Sequence, residues 1–109
     1  MLKNIFPYKS FEVVIVASTY PSGNSSIKLF DTETGELIEE MSANISNYKE
    51  KENVLIDSQS FISYLEKWNI VNNTSKQFCH KDKNYYICTL QPINEWKQYS
   101  FTENINQYV

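Results

Sequence analysis

The sequence predicts an α+β domain: an antiparallel sheet of about five strands with one helix packed on one face. Three observations predict it. Short β-branched or alternating stretches, bounded by Gly, Pro, Asn and Asp, fill most of the chain, as half-buried strands and their turns do. One segment, residues 54–71 (VLIDSQSFISYLEKWNIV), changes from strand to helical periodicity and carries its own start and stop signals. With 109 residues the chain can build one hydrophobic core but not two, so 1–109 is read as a single domain.

Taken in order, residues 1–10 form a lead-in containing Phe6, Pro7 and Tyr8. Residues 11–19 are nearly continuously apolar and β-branched, as suits a strand covered on both faces or one near the centre of the sheet. Tyr20 to Asn24, with Pro21 and Gly23, is a turn by composition, and 25–31 is the next strand. Gly35 supplies the positive φ that closes a hairpin through Thr32, Glu33 and Thr34. Residues 36–45 read as a third strand, with Leu37, Met41, Ala43 and Ile45 pointing inward and Glu39 breaking that set. A charged loop leads to a short strand at 54–56.

The helix is expected over 58–69, with Asp57 as N-cap and Phe61, Ile62, Leu65 and Trp68 as its apolar stripe. Asn69 suits the left-handed position after the last turn, and Ile70 suits the apolar residue that folds back beyond it. After a polar connection at 72–75, a second hairpin joins 76–80 to 85–90, turning through 81–84. This arrangement puts Phe78, His80, Tyr85 and Ile87 on one side and Cys79, Tyr86, Cys88 and Leu90 on the other. Pro92 ends the last strand, and residues 92–109 form an aromatic tail with Trp96, Tyr99, Phe101 and Tyr108. A single short helix shields only part of such a sheet. An aromatic sheet face is therefore expected to remain for the tail, a second copy in a homodimer, or a partner.

Composition narrows the function classes. The net charge is −3, and all ten basic side chains are lysine, so the bidentate phosphate and carboxylate recognition that arginine provides is missing. Direct nucleic-acid binding is not expected. The apolar run near the N-terminus is interrupted by Glu12, and 13–17 is shorter than the roughly 7 to 15 residues of a leader's apolar region, so it is read as a strand. No run approaches the ~18 apolar residues of a membrane span, and a cytoplasmic location in a bacterial host cell is expected.

No catalytic or metal constellation survives weighing, and no cofactor is expected. Cys79 and Cys88 read as a diagonal pair on one face, too far apart for a disulfide. His80, the lone histidine, lies on the opposite side with no nucleophile beside it. Asp57 is accounted for by capping. With two distant glycines there is no phosphate loop. What stands out is charge density: Asp31, Glu33, Glu36, Glu39 and Glu40 cluster at one hairpin, which is either a solvated loop or an acidic edge that docks on a basic surface. Tyr85, Tyr86, Trp96 and Tyr99 are the aromatic anchors expected beside it, since Tyr and Trp carry large contact area at low entropic cost.

Residues 27–92 resemble a family of small proteins carried by phages, plasmids and conjugative elements of low-GC bacteria. The resemblance lies in IKLFDTETGELIEEMSANI, with Leu29, Asp31, Gly35 and Glu36 at that family's acidic turn, in VLIDS leading into a helix, and in the closing YYICTLQP. The tail after Pro92 has no counterpart. The resemblance implies an accessory protein of a mobile element, a class that includes inhibitors of host defence systems such as CRISPR effectors. The expectation is thus a non-enzymatic protein-binding inhibitor or adaptor that occludes a host effector, its partner being a protein with a basic surface such as a nucleic-acid-binding effector. The alternative is a module that sequesters a small ligand or nucleotide between helix and sheet or at a dimer seam.

Overall fold

The computed structural model describes residues 5–45, 48 and 53–97. Within them the α+β class holds: one helix packs with antiparallel strands. The strands divide into two sheets, of four and of three.

The four-stranded sheet opens with β1 (Ile5–Tyr8), inside the stretch expected as a lead-in. Pro7, which argues against a central strand, is tolerated because β1 is an edge. Strands β2 (Phe11–Thr19) and β3 (Ser25–Asp31) run as the sequence implies, paired from Val13 opposite Asp31 to Thr19 opposite Ser25. Their alternation sends Val13, Ile15, Ile27 and Leu29 into the core, each fully buried. The turn between them is closed by bonds from Gly23 N to the Tyr20 carbonyl and from Tyr20 N to the Asn24 carbonyl, both 2.8 Å.

The next strand, β4 (Leu37–Glu40), is shorter than expected. The register slips between Leu29 and Phe30, so Phe30 faces Leu37 while Leu29 faces Glu39. This bulge turns Ile38 toward the core and leaves Leu37 on the outer face, 51% exposed, where strict alternation had placed it inside. Beyond Glu40 the chain leaves the sheet. Met41 N still donates to the Ile27 carbonyl, but Ala43 N donates to Leu55 of the other sheet. The stretch expected as one strand thus passes from one sheet to the other.

The second sheet has the order β5 (Asn53–Ile56), β7 (Lys83–Leu90), β6 (Val71–His80), with β7 central. Strands β6 and β7 turn through two residues, Lys81 and Asp82, rather than four, both left-handed at φ 51° and 64°. Shortening a turn by an even number preserves which side chains share a face, and Phe78 sits opposite Tyr85. Cys79, however, faces Asn84 while Cys88 faces Asn73. The two thiols are therefore about 13 Å apart along the sheet, not diagonal neighbours, and both are free.

Helix α1 (Gln59–Lys67) starts one residue later than expected. Ser58 is the N-cap: its Oγ accepts from Phe61 N at 3.4 Å. Asp57 instead points to Lys83 Nζ at 2.8 Å. The C-terminal signals do form, with Asn69 at φ 58°, its N–H on the Glu66 carbonyl, and Ile70 N on the Leu65 carbonyl, the reciprocal pair of a Schellman motif. Ile62 and Leu65 are fully buried, in one cluster with the inner faces of both sheets. Past a short 3-10 turn (Ile93–Glu95), Lys97 N donates to the Trp68 carbonyl and Asn69 Nδ2 to the Glu95 carbonyl, so the chain closes over the helix end.

Candidate protein interface

The five hairpin carboxylates fall into two groups. Three serve the fold. Asp31 Oδ1 accepts from Glu33 N at 2.8 Å, and its carbonyl accepts from Gly35 N at 2.9 Å, which fixes the turn. Gly35 sits at φ 75° with nothing within 4 Å of where a side chain would stand, so glycine is there for its backbone alone. Glu39 reaches inward and accepts from the Tyr8 hydroxyl at 3.1 Å; burial, then that carboxylate, pushes the phenol up to about 12. Glu40 accepts from the Tyr20 hydroxyl at 2.7 Å, beside Ser42 Oγ, and Tyr20 is also raised to about 12, first by burial.

Glu33 and Glu36 form the second group. Both are exposed, and among the described residues their carboxylates make no hydrogen bond or ion pair. A further acid, Glu12, joins them, because antiparallel pairing of β2 and β3 brings it beside the turn, where its carbonyl accepts from both Thr32 N and Thr32 Oγ1. Glu12 was missed in the sequence because it lies some twenty positions from the cluster; the pairing register is the signal that finds it. A notch of about 170 Å³ lies at this end, lined by Ser10, Phe11, Glu12, Asp31, Thr32 and Glu33. It is smaller and more polar than the roughly 300–1,000 Å³ apolar clefts that hold small ligands.

Two of the four expected aromatic anchors, Tyr85 and Trp96, are placed differently from the expectation. Tyr85 is only 9% exposed, because Tyr48, Ala43 and Ile45 of the crossing segment cover the outer face of the three-stranded sheet. Trp96 is 3% exposed, its ring 6.4 Å from Phe6 and its Nε1 donating to the Gln91 carbonyl. Neither side chain is available to a partner. Tyr86 is half-buried against the main core, and Tyr99 lies outside the described residues. The correction has one physical cause: the chain itself supplies the cover that a lone helix could not.

Among the described residues nothing brings the remaining chemistry-bearing groups together. Cys88 is buried and its thiol is pushed up to about 12 by that burial and then by Glu66. Cys79 is exposed, and His80 stacks on Phe78 at the hairpin end. Among the described residues no helix is long and apolar enough to cross a membrane. Compared with models of protein families, with curated proteins and with solved structures, the chain has no match in any of the three.

Proposed function

We propose that this chain is a non-enzymatic, protein-binding inhibitor or adaptor of a bacterial mobile element, which acts in the host cytoplasm by occluding a basic surface of a defence effector. The observation that carries the reading is the pair Glu33 and Glu36: two exposed carboxylates, engaged by nothing among the described residues, held on a turn that Asp31 and Gly35 close. Pre-positioned charge of this kind speeds and orients docking on lysine- or arginine-rich surfaces without paying to order a loop. Surfaces that carry nucleic acid are the commonest of that type, and they offer an inhibitor a target it blocks by covering.

Glu39 and Glu40 are poor test positions, because replacing them also breaks the bonds to Tyr8 and Tyr20. The test is the double substitution Glu33→Lys, Glu36→Lys, in protein used to capture partners from a low-GC host and then in titrations against the captured protein. Binding at moderate salt weakens at least about tenfold, equivalent to about 1.4 kcal/mol, and the salt dependence of the native affinity shrinks. Equal affinity of the double variant and the native chain at low salt overturns the proposal.

A further inference from the structure

The four-stranded sheet has a second face. Its inner face is filled by Phe6, Val13, Ile15, Ile27 and Leu29, all part of the main core. Strand alternation directs their neighbours the other way, and pairing lines those up: Ile5 opposite Val14, Val14 opposite Phe30, Phe30 opposite Leu37. The result is an apolar row crossing all four strands, about 14 Å long at the usual strand spacing. Val16, one step further along β2, extends it and is 38% exposed. None of these five side chains belongs to either hydrophobic cluster, and among the described residues no element packs over them. The bulge at Ile38 is what completes the row, since without it Leu37 would point inward.

The surroundings of the row say what fits it. Glu12 lies on the same face of β2, Glu40 on the same face of β4, and Glu33 and Glu36 stand at its hairpin end. The one cation on the face among the described strands is Lys28, opposite Glu40 in the ladder and with its Nζ 5.4 Å over the Tyr20 ring. Lys9, in the β1–β2 turn at the same end, has its Nζ 5.3 Å over the ring of Tyr8, which belongs to the inner face, and the border of the outer face is mainly negative. A second copy applied face to face through a two-fold axis along the strands would set these carboxylates against one another, which disfavours that pairing. An anionic membrane or a nucleic acid is repelled for the same reason.

We infer that the outer face of the four-stranded sheet is the docking surface, and that its occupant is a protein patch with an apolar centre rimmed by lysine or arginine. This rests on the protein-binding reading above and replaces the buried tyrosine and tryptophan anchors with an aliphatic and phenylalanine row. Leu37 and Val16, the most exposed members, are the anchors, and the carboxylate border sets orientation and partner choice.

The test uses the full chain, labelled for amide NMR, and three peptides. The first is an amphipathic helix with a leucine face and lysine flanks, the second has the same lysines with serine for leucine, and the third has the leucine face with glutamate flanks. The first peptide shifts the amides of Val14, Val16, Phe30 and Leu37 and binds at least about tenfold more tightly than either of the others. Leu37→Asp and, separately, Val16→Asp abolish that preference while leaving the remaining spectrum folded. Equal binding of the serine peptide, shifts confined to the three-stranded sheet, or a concentration-dependent dimer that hides the row overturns the inference. If Glu33→Lys, Glu36→Lys weakens capture of the natural partner while Leu37→Asp does not, the protein-binding reading stands and this face falls. If neither variant changes capture, both fall.

Discussion

Ser58 and Asp57 are neighbours with different work. Ser58 Oγ satisfies Phe61 N, one of the donors a helix start leaves open, whereas Asp57 meets Lys83 across solvent with both side chains more than a third exposed. Ser58→Ala should cost about 1 kcal/mol of stability. Asp57→Ala should change it by less than about 0.5 kcal/mol, because an exposed ion pair is screened. Urea midpoints of the two variants, compared with the native chain, check the order. The sequence points to Asp57 as the cap; that Ser58 caps the helix instead was not legible, because it depends on where β5 releases the chain. A related ambiguity governs the hairpin acids. Their density is visible in the sequence, but which of them the fold consumes is decided by Tyr8 and Tyr20, which lie about twenty to thirty positions away.

The β6–β7 hairpin turns on two residues that both hold left-handed backbone, and neither is glycine. Asp82→Gly, at φ 64°, should stabilise the protein by about 0.5–1 kcal/mol, seen as a higher Tm with unchanged far-ultraviolet circular dichroism. Lysine and aspartate at the turn hid its length in the sequence, yet the faces of Phe78, Tyr85, Cys79 and Tyr86 were still legible because parity survives an even change in loop length. Strands β2 and β3 were legible to the residue, since β-branched runs end there at strong turn signals. Strand β4 was not. Its bulge is a one-residue slip that alternation cannot report, and the step of Ala43 onto Leu55 is a tertiary choice with no local mark.

The two sheets share one core, and folding holds two phenols and a thiol of that core, with the phenol of Tyr20 outside it, in the neutral form. Tyr8 and Tyr20 are pushed from 10.0 to about 12 and Cys88 from 9.0 to about 12, in each case first by burial. Tyr64, whose hydroxyl donates to the Pro7 carbonyl, is also raised, mainly by burial. A group whose pKa is higher folded than unfolded keeps its proton longer in the native state. The stability it contributes is whole below the unfolded value and drains away as pH climbs toward the folded one. Stability should be level through the neutral range and fall steeply above about pH 9, where the unfolded thiol and then the unfolded phenols begin to ionise. Urea midpoints at neutral pH and at two alkaline values, followed by tryptophan emission, check this; a midpoint that holds or rises into the alkaline range contradicts it.

Phe6 and Trp96 lie against each other although ninety positions separate them. A contact between rings so far apart in the chain means that the ribosome must deliver everything from residue 6 to residue 96 before this part of the interior can shut. Until residue 96 emerges, the nascent chain carries Phe6 with only one of its two tryptophan neighbours, Trp68, against it. Translation products that stop between residues 68 and 96 hold Phe6 against Trp68 alone, 5.3 Å away, and offer its open side to chaperones and proteases.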